Sequence, residues 1–213
     1  VLELGCGSGR VLIPLALEGK SVFGCDIDFE MLRVLLNNLS ASQQAQAHIF
    51  QADFTALHLA VKFGLIFLPC NTYSTLTAEQ RPALLKCVFT HLLPGGAFAV
   101  SLPNPLRLKR LPRRAEAEVE EVFAHPIDQE PVQVSSAWVR EQDCFTILWH
   151  YDHLFPDGTV ERLTAQVKHY LTPVAQLCQE VEAAGFSELT LIGDYDGAAY
   201  SASSAQLILI AKR

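Results

Sequence analysis

Short apolar runs alternate with amphipathic stretches along the first hundred residues. Val1–Leu4 reads as a strand, followed by a glycine-rich turn and a helix over about Arg10–Leu17 closed by Gly19. Ser21–Cys25 is a second strand, Phe29 to about Ser40 a second helix, and Ala47–Gln51 a third strand. Leu65–Leu68 is a fourth strand, Ala78–Leu92 a helix, and Pro94-Gly95-Gly96 turns the chain into a fifth strand, Ala97–Leu102. The strands are apolar without alternation, as expected when helices cover both faces of a parallel sheet. Strand–helix–strand crossovers imply right-handed winding and an open α/β fold.

The pattern changes after Pro103. An Arg- and Glu-rich stretch reads as helix to about Phe123, and Arg107, Lys109, Arg110, Arg113 and Arg114 on it read as a solvated linker face. Val132–Glu141, Cys144–Phe155 and Thr159–Leu171 are rich in β-branched and aromatic residues, and Pro156-Asp157-Gly158 predicts a hairpin turn. Thr172-Pro173 then opens a helix ending at Gly185, and Leu189–Ile192 and Leu207–Ala211 return to the main sheet. The expected architecture is a Rossmann-like, doubly wound, mostly parallel sheet with an inserted antiparallel β layer. Residues 1–103 form the core, 104–171 the linker and insertion, and 172–213 complete the sheet.

Composition narrows the function. A chain of 213 residues, half hydrophobic, can bury a sizeable core. Its formal net charge of −7 speaks against nucleic acid as a partner. No apolar run spans a bilayer, so no membrane role is expected. Cys6, Cys25, Cys70, Cys87, Cys144 and Cys178 are scattered, with no C-x-x-C pair and no histidine at metal-ligand spacing. Neither a disulfide framework nor a metal site is expected, and a reducing cytoplasm fits. The chain opens at Val1 inside a strand, and Met31 is its only methionine, so a further N-terminal segment is expected.

The strongest chemical signal is Glu3-Leu4-Gly5-Cys6-Gly7-Ser8-Gly9, where a strand feeds a glycine turn into a helix. Glycines let backbone approach a ligand closely. A dinucleotide fingerprint reads G-x-G-x-x-G, but here the spacing is G-x-G-x-G and Arg10 occupies the third glycine's place. The acid two residues before the first glycine suits a ligand with an ammonium group better than a pyrophosphate. These points disfavour the alternative of a nicotinamide-dependent oxidoreductase.

Val1 to Gly9 resembles the first motif of class I S-adenosylmethionine-dependent methyltransferases. The resemblance covers residues 1–103 closely and 172–213 more loosely, and Gly64 departs from it where the family often has Asp. It implies S-adenosylmethionine as cofactor, held by Glu3, Gly5, Cys6, Gly7 and Gly9. Asp26 would hold the ribose hydroxyls and Met31 would pack on the adenine, with Ile27 also among the cofactor contacts. Asp53 would accept from the adenine amino group next to Phe54, and Leu68 and Pro69 end the fourth strand at the reaction centre. Each acid also has an ordinary reading: Glu3 at a sheet end, Asp26 as cap of the next helix, Asp53 in a turn.

Asn71 and Tyr73, in Leu68-Pro69-Cys70-Asn71-Thr72-Tyr73, are candidates for acceptor contacts. The segment lacks the Asn/Asp-Pro-Pro-aromatic motif of nucleic-acid amino methyltransferases. His150 is a candidate base, sharing a strand face with Asp152, while Trp149, Tyr151 and His153 share the other. Asp194-Tyr195-Asp196-Gly197 adds a polar turn near the cleft rim. The expected partner is a small-molecule methyl acceptor, through nitrogen or oxygen, with the insertion serving as lid or homodimer surface. The competing class is a non-catalytic interaction module of the same fold, against which the intact glycines, Asp26 and Asp53 argue.

Overall fold

A computed structural model describes all 213 residues. They divide into two compact units, Val1–Asn104 with Pro173–Arg213, and Pro105–Thr172. The first unit contains β1 (Leu2–Leu4), α1 (Leu12–Leu17), β2 (Val22–Asp26), α2 (Phe29–Asn38), α3 (Ala41–Gln44) and β3 (Ala47–Gln51). It continues with β4 (Phe63–Leu68), α4 (Gln80–His91) and β5 (Leu92–Pro103). The second unit holds α5 (Pro105–Leu108) and strands β6 (Arg114–Ala124), β7 (Pro131–Arg140), β8 (Cys144–Leu154) and β9 (Val160–Tyr170). The chain then returns to the first unit as α6 (Val174–Ala183), β10 (Glu188–Ile192) and β11 (Gln206–Lys212).

Seven strands form one sheet in the order β10-β11-β5-β4-β1-β2-β3. β1 pairs in parallel with both β2 and β4, so the winding reverses at β1 and leaves a crevice beyond the strands' carboxyl ends. Only β11 runs antiparallel to its neighbours β5 and β10. Leu2, Leu4, Leu68, Phe98 and Leu207 are fully buried, which explains the unalternating apolar runs. Pro94-Gly95-Gly96 lies within β5 as an irregularity, because Phe63 pairs Leu92 while Leu65 pairs Ala97.

α2 starts where its sequence dictates. Asp28 has extended backbone, and its carboxylate accepts from the Glu30 and Met31 amides at 2.9 and 3.2 Å. Leu32 and Leu35, three apart, bury one face against Leu12 and Val22. Gly24 of β2 makes this packing possible. A Cβ there would overlap Leu12 Cδ1 and meet Cys6 Sγ at 3.1 Å. Gly24→Ala is therefore expected to cost about 1–3 kcal/mol by overpacking, read as a lowered urea midpoint with unchanged slope. A variant as stable as the parent would mean that α1 yields freely.

The second unit is a four-stranded antiparallel sheet, β6-β7-β8-β9. The expected helix over residues 104–123 is confined to α5, and Arg114–Ala124 is strand. Glutamate's helix propensity is overridden by pairing with β7, including Val119 with Ser135 and Phe123 with Val132. Ala115, Ala117 and Val119 alternate with Glu116, Glu118 and Glu120, and a register shift falls between Val119 and Glu121, where the doubled glutamates break that period. The basic residues consequently do not share a helix: Arg107 lies on α5 and Arg114 on β6. The β8–β9 turn forms as expected, with Asp157 accepting from the Thr159 amide and hydroxyl at 2.9 and 2.7 Å. No helix is long and apolar enough to cross a membrane.

Candidate functional site

The loop after β1 occupies the crevice between β1 and β4. Gly5, Gly7 and Gly9 have φ of 63°, 51° and 90°, the left-handed region that glycine enters without penalty. Their duties differ. A Cβ on Gly5 would project toward Leu68 Cδ1, Phe54 Cε1 and Thr72 Cγ2, 3.6–3.8 Å away, so its missing side chain keeps that cradle clear. A Cβ on Gly9 would come within 2.8 Å of Leu35 Cγ and 2.9 Å of Ile13 Cγ1, so Gly9 serves packing. Cys6 is buried, and its amide donates to the Cys25 carbonyl at 3.0 Å, tying the loop to β2.

Asp26, at the end of β2, braces the same loop. Its Oδ2 accepts from the Gly7 amide at 2.7 Å and its Oδ1 from the Asp28 amide at 2.9 Å. The helix-capping position belongs to Asp28 instead. Each carboxylate oxygen has a second lone pair, so Asp26 retains capacity for two hydroxyl donors.

Glu3 is the unusual group. It is only 2% exposed on β1, an inner strand, and its Oε2 has no hydrogen-bond partner. Burial pushes its carboxyl up to about 8, with Arg10 pulling it down and Asp26 adding to the rise. An orphaned, buried carboxyl oxygen beside a glycine cradle is the polar atom that a ligand would satisfy.

Asp53 opens a 3-10 turn over Phe54–Ala56, and its Oδ1 accepts from the Thr55 amide and hydroxyl at 2.8 and 2.7 Å. The ring of Phe54 reaches the Gly5 cradle. Ile27 and Met31 expose apolar side chains just beyond β2, Met31 by 44%. Leu68 is fully buried, and the Pro69 carbonyl accepts from the Thr72 amide at 3.4 Å.

After β4 the chain is strained. Cys70 and Asn71, neither glycine, have φ of 60° and 65°, a conformation that costs roughly 1–3 kcal/mol each. The Asn71 carbonyl accepts from the Ser74 amide and hydroxyl at 3.1 and 2.7 Å. Arg10 reaches across from the glycine loop to Cys70 Sγ at 2.9 Å. The two loops that flank the crevice are thus joined by a side chain whose only sequence signal was its place where a third glycine would fall.

Tyr73 lies elsewhere. Its ring is 1% exposed in the core, edge-on to Phe98 at 6.4 Å, and burial raises its phenol well above the ordinary range. The expected acceptor contact is therefore not made by Tyr73, whose ring is taken up by core packing. His150 stands on β8 in the other unit, its Nδ1 2.9 Å from Thr164 Oγ1. Sequence reasoning overlooked Ser101, whose buried Oγ has no partner. With Phe67, Pro69, Ala99, Tyr195 and Ile208 it lines a small cavity of about 140 Å³ beyond β4 and β5.

Residues 1–96 match a family described as a methyltransferase domain. The chain is 23% identical over 216 residues to the cypemycin N-terminal methyltransferase of a Streptomyces species, covering all of this chain and 82% of that protein. Its fold superposes on a S-adenosylmethionine-dependent methyltransferase from Clostridium acetobutylicum with a TM-score of 0.81 at 17% identity, covering 99% of this chain and 82% of the other. An amino pentose methyltransferase from Micromonospora echinaspora, solved with S-adenosylmethionine bound, gives a TM-score of 0.74 at 17% identity, covering 100% and 82%. Residues 1–96 are thus similar to a methyltransferase domain, and the chain as a whole has the fold of these S-adenosylmethionine-dependent methyltransferases.

Proposed function

We propose that this enzyme methylates an amino group of a small molecule. The observation that carries the reading is the buried, unpartnered Glu3 beside the open Gly5 cradle. A ligand bearing an ammonium and a nucleoside would satisfy the first and fill the second. Glu3 would take the amino-acid end and the Gly5–Gly7 backbone would follow the chain toward the ribose. Asp26 would accept from the ribose hydroxyls, and Asp53 Oδ2, outside the turn's own hydrogen bonds, from the adenine amino group. Ile27, Met31 and Phe54 would cover the base. When bound, S-adenosylmethionine supplies an activated methyl group on a sulfonium, already primed for displacement.

What remains for the chain is alignment and exclusion of water. Asn71, on the strained turn that follows β4, would orient an acceptor through its side-chain amide. The apolar cavity beside Pro69 and Tyr195 suits an uncharged part of that acceptor. An amine in its free-base form needs no general base, whereas a hydroxyl does. Tyr73 is packed in the core and Glu3 would be engaged by the cofactor's ammonium, so neither is assigned as a base. The names of two relatives point the same way, one to an N-terminus and one to an amino pentose.

Calorimetry with S-adenosylmethionine, S-adenosylhomocysteine and NAD tests the cofactor half. The first two are expected to bind at micromolar levels, about −8 kcal/mol; preference for NAD would overturn it. The acceptor half is tested by mass spectrometry after incubation with matched panels of small amines and alcohols. Products confined to alcohols would refute amine transfer.

A further inference from the structure

The four-stranded unit contains a cluster that the cofactor site does not use. The hairpin between β6 and β7 runs His125-Pro126-Ile127-Asp128-Gln129-Glu130. It is pinned by the His125 amide to the Glu130 carbonyl at 2.8 Å and by the Gln129 amide to the His125 carbonyl at 2.9 Å, with Gln129 in the left-handed region at φ 65°. Val132, at the start of β7, pairs with His153 of β8, which brings that imidazole under the hairpin.

His125 Nδ1 lies 2.9 Å from Asp128 Oδ1, and His153 Nε2 lies 3.3 Å from Asp128 Oδ2. The His153 nitrogen is buried and makes no hydrogen bond. One ligand atom from each of the three residues falls within 4.8 Å of the other two. The rings are not free to scatter: His125 stacks on His153 at 4.4 Å between centroids, and His153 on Phe155 at 4.3 Å. Zinc takes imidazole nitrogen and carboxylate oxygen at about 2.0–2.2 Å, which sets tetrahedral ligand atoms about 3.4 Å apart. Small side-chain rotations reach that spacing.

We propose that His125, Asp128 and His153 bind a divalent late transition-metal ion of the zinc class, with one coordination position left open. Imidazole and carboxylate suit such ions, and three protein ligands leave the fourth place to water or an added donor. His125 and His153 also line a cavity of about 390 Å³ whose other walls include Phe123, Val132, Tyr151 and Leu163. Glu161, opposite His153 across the β8–β9 ladder, also lines it and offers a further carboxylate. Arg162, the cation on this wall, is held by Asp152 through two hydrogen bonds and leaves the cluster's negative charge to the metal. Sequence spacing did not reveal the site, because sheet register rather than chain proximity delivers His153.

The test is titration of the whole chain, first stripped with chelator, with Zn²⁺ by calorimetry and with Co²⁺ by visible absorption. One equivalent of Zn²⁺ and ligand-field bands of low-coordinate Co²⁺ are expected. His125→Gln, Asp128→Asn and His153→Gln should each weaken Zn²⁺ binding by no less than the roughly 10–100-fold that loss of a ligand's own hydrogen-bond partner costs. Circular dichroism and S-adenosylmethionine affinity should stay unchanged in the same variants, which separates this site from the cofactor's. Absence of saturable Zn²⁺ binding to the parent chain overturns the proposal, whatever the variants do. Binding that survives in the exposed-loop variants His125→Gln and Asp128→Asn also overturns it.

Discussion

Glu3→Gln is expected to yield a protein that is more stable above pH 8 and binds S-adenosylmethionine more weakly. The Glu3 carboxyl sits at about 8 in the folded chain against an ordinary value of 4.5. Between those values the folded protein holds a proton that the unfolded chain has lost. Stability therefore falls as pH rises from 4.5 to 8, then levels once both states are ionised. Across that window the loss is roughly 3–5 kcal/mol, since each pH unit carries about 1.4 kcal/mol per proton. Glutamine has no charge to bury, so the variant escapes this fall. Urea unfolding at pH 5 and pH 8.5 should show the parent losing several kcal/mol more than the variant; parallel behaviour would refute the burial argument. The ligand side has the opposite sign. An ammonium placed near Glu3 favours the carboxylate, so binding to the parent near pH 7 should release a proton, visible as a dependence of calorimetric heat on buffer ionisation. The variant should release none and lose about 1–3 kcal/mol of affinity, the worth of a charge-assisted hydrogen bond. Stability would thus be given up for binding, as at many active sites.

Asp26→Ala is the second large effect. Its carboxylate holds the Gly7 and Asp28 amides and, in the proposed site, the ribose. Removing it unbraces the loop and deletes the ligand contact together. Affinity for S-adenosylmethionine and S-adenosylhomocysteine should fall by about 1–3 kcal/mol, five- to 150-fold. Asp26→Asn keeps the shape and one acceptor, so it should fall between the parent and the alanine variant. Equal affinity in all three would remove Asp26 from the cofactor site. Since neither variant alters the cap at Asp28, α2 should keep its helical signal.

Much of this was readable from residue order. The glycine turn, Asp26 and Asp53 lie at strand ends that the apolar runs announce, and the sheet's switch at β1 follows from crossovers alone. The departures have specific causes. Residues 114–124 read as helix because glutamate and alanine favour it, and only pairing with β7 makes them a strand. Tyr73 follows a loop that faces the crevice, but the 3-10 turn over Thr72–Thr75 rotates its ring into the core. Asp28 and Asp26 stand two residues apart, and which one caps α2 depends on backbone angles that the sequence does not display. Arg10 and Ser101 acquire meaning only once distant segments are adjacent.

The reversed strand β11 has a consequence for synthesis. It lies between β5 and β10, with Leu207, Leu209 and Ala211 almost wholly buried. As the ribosome makes the chain, β5 emerges about a hundred residues before the strand that will shield its flank. Through that interval its row of backbone groups is an adhesive margin, open to strangers. Slow translation of the intervening segment would lengthen the exposure, and a chaperone that holds nascent β5 would shorten it.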